Sequence, residues 1–424
     1  MTLAATPQLL IGGMPVEHLV RQYATPLYVY DAAGIRNAFR KIRGAIPYSP
    51  SRVHYACVTN ASIAIMKTIR ALGGGIHANT WGDAVMALHA GFTPREIIYS
   101  GSNIGEEDLL NIFTHGVAIN LSSLSQLRSY GAQLADFEGS RASSPGSLRQ
   151  VGLRIHLEAE MPYSRMGVKV GELKEASAIA NECGLAIVGV HYYRGTGTNN
   201  TEHFLQPFPI LMDVAQRFGA TLQYVDVGGG FGYPYKPAAP VFDWEYFGAR
   251  ISEMMEGVSA RLGRRAILIL EPGRSIVAAS GYLLTRVVGV DQRAAGGQLA
   301  GVDTTTSHIS SETYRVYGGY RRIVLANRCS DECPVPTDVV GCTTFSDDYI
   351  GRASRGQSPD RGLMLPPLRE GDLLAVLDAG GYGFAFASNF LNKPRPAEVM
   401  VDGGQAILIR YRETYGDMLR LQVY

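Results

Sequence analysis

The chain has 424 residues, a length typical of two domains or of one large barrel with an addition. Hydrophobic residues make up 46% and charged residues 18% of it, which favours a large buried core and excludes an intrinsically disordered chain. The net charge of +1 indicates no general attraction for nucleic acid, anionic membranes or cationic substrates.

Neither the cysteines nor the apolar runs indicate secretion or membrane insertion. Five cysteines in a chain of this size do not make a disulfide framework, so we expect free thiols in a reducing cytoplasm. Residues 1–13 lack a basic region and a long apolar core, so we predict no signal peptide. No uncharged apolar run reaches the roughly 18 residues that a membrane span needs.

Strand-like runs alternate with helical stretches over the first two thirds of the chain. A polar helix near residues 16–23, a strand at 26–31 and an amphipathic helix at about 32–46 come first. Eight strands alternating with helices predict a closed parallel (β/α)8 TIM-type barrel, which we place at residues 32–275. The eight predicted strands are residues 53–57, 75–79, 96–100, 117–121, 151–157, 187–192, 222–227 and 266–270.

The pattern changes after Arg274, where β-rich runs follow one another with few helices between them. Residues 398–410 contain Gly403 and Gly404 between two apolar runs, which predicts a hairpin. We therefore predict a β-domain made of residues 1–31 and 276–424, with the strand at 26–31 added to it. Surface loops are expected at residues 139–147, 233–240 and 352–362.

Three consecutive glycines, Gly228, Gly229 and Gly230, follow the seventh predicted strand. Glycines let backbone N–H groups approach an anion closely, as a phosphate site requires. The spacing does not fit the Gly-x-Gly-x-x-Gly dinucleotide fingerprint, because residue 233 is tyrosine. The residues alone leave two interpretations open, a phosphate loop and a tight turn without a ligand.

The eighth predicted strand ends in Glu271-Pro-Gly273-Arg274. A carboxylate that faces a pyridine nitrogen keeps this nitrogen protonated and makes the ring an electron sink. The neighbouring glycine and arginine can hold a phosphate or a substrate carboxylate through backbone and bidentate contacts. A structural ion pair is the alternative.

These motifs resemble those of the diaminopimelate and ornithine decarboxylase family, which are alanine-racemase-like (fold type III) enzymes that use pyridoxal phosphate (PLP). Segments 23–31, 228–232, 271–275, 378–390 and 392–398 match in family order, so the resemblance covers about residues 23–415. It implies a pyridine partner in Glu271, phosphate or substrate contacts in Gly273 and Arg274, and a phosphate loop at Gly228–Gly230. It also implies that Tyr382 lies close to the cofactor phosphate and Tyr317 on the substrate side.

The first barrel strand departs from the family at its most important position. The family reads Tyr-Ala-x-Lys-x-Asn there, and this lysine holds the cofactor as a Schiff base. Here the stretch is Tyr55-Ala-Cys-Val58-Thr-Asn60, so Val58 occupies the lysine position. Because none of the chain's lysines stands at a predicted strand end, we expect non-covalent binding of pyridoxal phosphate. These lysines are Lys41, Lys67, Lys169, Lys174, Lys236 and Lys393.

Other positions depart from the family as well. Tyr193 replaces the ring-stacking histidine and Thr196 the phosphate-binding serine, and both can keep these roles. His77 stands where an acidic residue is usual. Where the family supplies a cysteine and a glutamate across a dimer interface, the aligned residues are Thr344 and Phe345. A local slip of the alignment would restore a thiol in Cys342, so we take Cys342, Thr344 and Asp348 as candidate catalytic residues.

The leading hypothesis is a divergent diaminopimelate-decarboxylase-like homodimer that acts on an amino acid resembling diaminopimelate or lysine. A specialised pathway such as antimetabolite synthesis, as in homologues of the tabtoxin type, would suit these departures. The first alternative is a non-catalytic homologue that regulates a decarboxylase by forming mixed dimers. The second is a cofactor-free barrel enzyme that binds another phosphate ester. We assign no metal site from the sequence.

Overall fold

The structure is a computed structural model that describes residues 8–140, 146–162, 164–236, 238–293, 296–309, 321–328, 332–350 and 363–423. The chain divides into two compact units. The barrel unit comprises Ala38–Tyr233 and Pro240–Ser275, and the sheet unit comprises Met1–Asn37, Pro234–Ala239 and Ile276–Tyr424. Residues 234–239, which lie in the surface loop predicted at 233–240, group with the sheet unit, and no pattern in the sequence predicts this grouping. Tyr233 and Pro240, which flank this segment, belong to the barrel unit.

The described part of the chain begins with small elements and one amphipathic helix. They are β1 (Leu10–Ile11), β2 (Met14–Pro15), α1 (Val16–Tyr23), β3 (Leu27–Asp31) and α2 (Ala32–Gly44). In α1 the residues Val16, Leu19 and Val20 are buried, whereas the charged Glu17 and Arg21 are exposed. This apolar stripe at helical spacing is what holds α1 against the core of the sheet unit.

Eight parallel strands close into a barrel, which confirms the predicted fold. They are β4 (Ser51–Ala56), β5 (Gly75–Ala78), β6 (Ile97–Tyr99), β7 (Ala118–Leu121), β8 (Gln150–His156), β10 (Ala186–His191), β11 (Tyr224–Asp226) and β12 (Ile267–Leu270). The two-residue strand β9 (Val168–Lys169) pairs with the end of β8. Strand β12 pairs with β4 in the register Leu268–Ser51, which closes the ring. All eight strands lie at or within one or two residues of the predicted runs.

Helices follow the barrel strands, as the alternating pattern predicts. They are α3 (Ile63–Ala71), α4 (Trp81–His89), α5 (Glu106–His115), α6 (Leu124–Gly139), α7 (Leu173–Glu182), α8 (Thr201–Leu205), α9 (Phe208–Gln216), α10 (Trp244–Leu262) and the short α11 (Arg274–Val277). Side-chain oxygens of Thr80, Ser123 and Asp243 cap three of these helices by accepting backbone N–H groups of the first turn. Within the described ranges, no helix is both long and apolar enough to cross a membrane.

The sheet unit is built on a mixed sheet. Its remaining elements are β13 (Gly281–Gln292), β14 (Gln298–Val302), β15 (Ile323–Leu325), β16 (Val335–Val340), β17 (Leu363–Leu365), β18 (Leu373–Val376), β19 (Ala397–Asp402), β20 (Gln405–Arg410) and the helix α12 (Tyr415–Leu419). Strand β3 lies between β13, to which it is antiparallel, and β19, to which it is parallel. The predicted insertion of the N-terminal strand into the β-domain is therefore confirmed, as is the β19–β20 hairpin, whose turn residues Gly403 and Gly404 have φ of 55° and 78°.

A buried histidine in the sheet unit gives the stability of the fold a pH dependence. His308 Nδ1 lies 3.1 Å from Thr304 Oγ1 and Nε2 lies 3.1 Å from the Pro394 carbonyl oxygen, which suits a neutral ring. Burial, helped by the charge of Lys393, lowers the pKa of His308 to about 4. Since an unfolded histidine titrates near 6.5, the unfolded state binds more protons between these values, and stability falls as the pH falls from about 6.5 to about 4.

We therefore expect His308→Gln to lose less stability than the unsubstituted protein when the pH is lowered from 7 to 5. The difference between the two losses should be about 2 kcal/mol. Urea unfolding of both proteins at the two pH values measures it, and the constant cost of the substitution cancels because each protein is its own reference. Equal losses would show that His308 takes up no proton on unfolding.

Candidate active site

Polar side chains from three barrel strands converge at the carboxyl ends of these strands. His77 lies in β5, His191 is the last residue of β10, and Glu271 directly follows β12. Glu271 Oε1 lies 3.4 Å from His77 Nε2, and Glu271 Oε2 lies 3.3 Å from His191 Nε2. All three side chains are buried. This end of a parallel barrel is where catalytic groups are usually found.

A second carboxyl group lies against Glu271. Asp226 is the last residue of β11, and its carboxylate accepts the backbone N–H of Gly228 at 2.9 Å. Burial raises the pKa of Glu271 to about 7, and burial together with the Glu271 charge raises the pKa of Asp226 well above its usual range. Each carboxylate disfavours ionisation of the other, because two like charges in a buried site repel each other.

The surroundings of this pair are neutral imidazoles and one cation. Burial lowers the pKa of His191 to about 4 and that of His77 well below its usual range, so both rings are uncharged at neutral pH. Arg154, in β8, is itself buried, and burial lowers its pKa although the Glu271 charge opposes this effect. Its guanidinium carbon lies 5.4 Å from the ring centre of Tyr193.

The glycine loop passes so close to other backbone segments that no side chain fits. A Cβ atom on Gly228 would lie 2.0 Å from the Tyr192 carbonyl oxygen, and one on Gly230 would lie 1.9 Å from the Gly195 carbonyl oxygen. Both residues also have positive φ, 70° and 94°. At Gly229 a Cβ atom would lie 2.5 Å from the Glu271 carbonyl oxygen. The loop therefore lies directly beside the Glu271 backbone.

The turn after β4 carries Val58, the residue that the resemblance aligns with the family lysine. Val58 lies in the 3-10 turn Cys57–Thr59 with 41% of its surface exposed. Gly273 packs against this turn, because a Cβ atom on it would lie 2.1 Å from Thr59 Oγ1. The end of β12 and the end of β4 are thus in contact, which places residue 58 on the same side of the barrel as Glu271.

No lysine among the described residues takes the place of residue 58 in this turn. Lys67 is exposed in the middle of α3, and Lys169 Nζ pairs with Glu158 at 3.1 Å. The remaining lysines lie in helices or in the sheet unit: Lys41 in α2, Lys174 in α7, and Lys236 and Lys393 in the sheet unit.

Three other predicted cofactor contacts, Tyr193, Thr196 and Arg274, belong to the barrel unit. Tyr193 and Thr196 are hydrogen-bonded to each other through their hydroxyl groups, so the residues that replace the family histidine and serine form one pair. Arg274 begins α11 and is buried. Their roles toward a cofactor stay predictions.

The other predicted residues belong to the sheet unit. Tyr382 has a φ of 55°, and its ring centre lies 5.7 Å from that of Phe386. Cys342 and Thr344 are exposed. The buried Asp348 carboxylate accepts hydrogen bonds from Thr343 in its own loop and from Thr305 and Thr306 in a distant segment of the sheet unit. Tyr317 lies outside the described residues.

Sequence reasoning missed two residues of the cluster, Asp226 and Arg154, and it missed the contact of His191 with Glu271. Each stands in or at the end of a barrel strand where the surrounding residues are apolar. A charged residue inside an otherwise apolar parallel strand is costly unless it is paired, and this signal was available in the sequence.

Comparison with known proteins assigns this site to a family. A family model for the pyridoxal-binding domain of pyridoxal-dependent decarboxylases matches residues 32–278, more than half of the chain. The chain belongs to the pyridoxal-dependent decarboxylases. It is 36% identical over 422 residues to diaminopimelate decarboxylase of Methanothermobacter thermautotrophicus, covering 98% of this chain and 95% of the relative.

Two further comparisons agree. Diaminopimelate decarboxylase of Pseudomonas aeruginosa is 30% identical over 425 residues, covering 97% of this chain and 96% of the relative. A crystal structure of a diaminopimelate decarboxylase variant from Helicobacter pylori, complexed with L-lysine, superimposes with a TM-score of 0.81 at 25% identity, covering 96% of this chain and 98% of that one. The chain is therefore a diaminopimelate-decarboxylase-like protein of the fold type III group.

The family implies pyridoxal phosphate as the cofactor, and the residues of the barrel fit it in two respects. Glu271 Oε1 is buried and has no hydrogen-bond partner in the described part of the chain, which suits a group that faces a pyridine N–H. The glycine loop beside it keeps three positions at which any side chain would collide with backbone. The residue that does not fit a covalently held cofactor is Val58.

Proposed function

We propose that this protein binds pyridoxal phosphate without a covalent link and acts on an amino acid that resembles diaminopimelate or lysine. The observation that carries the proposal is the contrast within one site. Glu271 and the glycine loop Gly228–Gly230 are in place, whereas the turn after β4 presents Val58. Pyridoxal phosphate supplies an electron sink for bond cleavage at the α-carbon of an amino acid.

In this proposal, each barrel residue has a separate task. Glu271 holds the proton at the pyridine nitrogen, and burial raises its pKa to about 7, which lets it accept or keep this proton near neutral pH. The glycine loop offers backbone N–H groups to the phosphate. Tyr193 supports the ring by stacking. Without an amine at position 58, the chain has no nucleophile there and no lysine to carry a proton, so turnover is expected to be slow.

Phe345 supports an inference about the distal end of the substrate. Where the family has a carboxylate, this chain has an aromatic ring that is 40% exposed and lies 5.4 Å from the ring centre of Phe390. An apolar ring does not compensate the charge of a distal ammonium group. We therefore infer a substrate that differs from diaminopimelate at its distal end, in a specialised pathway such as antimetabolite synthesis.

We also infer a homodimer from the sheet unit. Phe345, Phe386, Phe390 and Leu391 are large apolar residues with 40–49% of their surface exposed. Of these, Phe345 lies in the segment that, by the resemblance, the family contributes across its dimer interface. Exposed aromatic residues of this kind favour contact with another protein surface. The same surface would serve a regulatory homologue that forms mixed dimers.

An ultraviolet-visible titration with pyridoxal phosphate, followed by borohydride reduction and intact-mass measurement, tests the proposal. We expect saturable binding that dialysis reverses after borohydride treatment. Pyridoxal, which lacks the phosphate, is the control, because it labels surface lysines as readily but cannot use the glycine loop. A mass gain that is specific to pyridoxal phosphate would show that another lysine has taken over, and absence of binding would favour the regulatory homologue.

A further inference from the structure

The cluster of His77, His191 and Glu271 has the composition and the spacing of a metal site. One ligand atom from each residue can be chosen so that all three lie within 4.8 Å of one another. The two contacts between imidazole nitrogens and carboxylate oxygens measure 3.4 and 3.3 Å. Two ligands that each lie 2.0–2.1 Å from a tetrahedrally coordinated zinc ion are about 3.4 Å apart.

The polar atoms of this cluster are not satisfied by the protein itself. Both ring nitrogens of His77, Nδ1 of His191 and Oε1 of Glu271 are buried, and none has a hydrogen-bond partner among the described residues. His77 Nε2 and Glu271 Oε1 are close without hydrogen-bond geometry. Buried polar atoms without partners cost free energy, and a cation between them removes this cost.

The position of the ligands in the barrel favours a single site. His77, His191 and Glu271 belong to the second, sixth and eighth barrel strands, and alternate strands of such barrels point their side chains into the same layer.

His77 is the residue that determines the type of ion. With the acidic residue that the family usually has there, the set would be one histidine and two carboxylates. With His77 it is two histidines and one carboxylate, a set that binds zinc and other divalent transition metals and leaves a coordination position open.

We propose that His77, His191 and Glu271 bind one divalent transition-metal ion of the zinc class at the mouth of the barrel. This inference does not depend on the proposed function, because it needs no pyridoxal phosphate. The two are linked only through Glu271, which cannot face a pyridine nitrogen and a metal ion at once. The ion and the cofactor are therefore alternative occupants of the site.

Isothermal titration of metal-stripped full-length protein with Zn²⁺ alone tests the inference. We expect one ion per chain, with an affinity that His77→Asn and Glu271→Gln each lower by roughly a hundredfold or more, since even the loss of a group behind a metal ligand costs 10–100-fold. His89→Asn is the matched control, because His89 is exposed in α4, directly after the strand that carries His77. It should leave the affinity unchanged.

Binding that His77→Asn and Glu271→Gln leave unchanged would overturn the inference and would assign the ion to surface histidines, as would absence of binding. Circular dichroism shows whether each variant is folded. If a variant is unfolded, X-ray absorption of the Co²⁺-loaded unsubstituted protein tests the site instead. Two nitrogen ligands with a carboxylate would support the site, and any other ligand set would refute it. Pyridoxal phosphate titrated in the presence of a chelator tests the proposed function separately. In a second titration without the chelator, added Zn²⁺ should weaken the binding of pyridoxal phosphate.

Discussion

Val58→Lys should give this protein a covalent link to pyridoxal phosphate. Residue 58 lies in the turn that ends β4 and is 41% exposed, so a lysine there should cost little stability. Its amine would supply the nucleophile and the proton carrier that the turn now lacks. We expect one cofactor per chain to be fixed by borohydride on the peptide that contains residue 58. Carbon dioxide release from diaminopimelate or lysine should rise by roughly 10²–10⁴-fold.

The matched control is Val241→Lys, which adds the same side chain at a valine that is 70% exposed and belongs to a loop of the barrel unit. This control should show only the background labelling of surface lysines. If Val58→Lys traps no more cofactor than Val241→Lys, position 58 does not face the cofactor, and the alignment of Val58 with the family lysine is wrong. If it traps cofactor without any rise in turnover, the other departures from the family's residues are sufficient to prevent catalysis.

The barrel could be predicted because its strands carry a strong local signal. A parallel strand that is buried on both faces reads as a continuous apolar run, as in Ile267–Leu270, and each run is followed by a helix. The hairpin β19–β20 was equally visible, because two glycines separate its apolar runs. The grouping of residues 234–239 with the sheet unit has no such signal, since it depends on contacts such as that of Tyr235 with the Arg321 guanidinium.

The candidate site was predictable only where a motif is contiguous in sequence. Glu271 and the glycines Gly228–Gly230 stand in unbroken motifs, whereas Asp226 and Arg154 are single charged residues in otherwise apolar strands. Burial and the nearby charge of Glu271 raise the pKa of Asp226 well above its usual range. Distances between strand ends create this pairing, and no spacing along the chain encodes it.

The same limit applies to the sheet unit. Asp348 is acidic and close to the family's catalytic segment, which makes it a reasonable candidate in sequence. In the structure its carboxylate accepts hydrogen bonds from Thr305, Thr306 and Thr343 and stabilises the loop. The sequence does not show the hydrogen bonds from Thr305 and Thr306, which lie more than 40 residues away along the chain. The catalytic role of Asp348 stays a prediction.

Gly228→Ala should abolish the phosphate loop and with it most of the affinity for pyridoxal phosphate. The new Cβ atom would lie 2.0 Å from the Tyr192 carbonyl oxygen, and φ at this residue is 70°. Since the obstacle is backbone, the loop itself must move, and the N–H groups that would contact a phosphate move with it. We expect a loss of about 2 kcal/mol or more in the free energy of unfolding and at least a roughly tenfold weaker affinity for the cofactor.

Gly116→Ala separates the collision from the backbone strain. Gly116 ends α5 with a φ of 73°, close to that of Gly228, but a Cβ atom there would meet nothing within 4 Å. It should cost only the strain of a left-handed alanine, about 1 kcal/mol, and leave cofactor binding unchanged. Urea unfolding and cofactor titration of both variants measure the two effects. If Gly228→Ala bound pyridoxal phosphate as tightly as Gly116→Ala, the glycine loop would be a tight turn without a phosphate role. Glu271 would then be the remaining support for a cofactor site in the barrel.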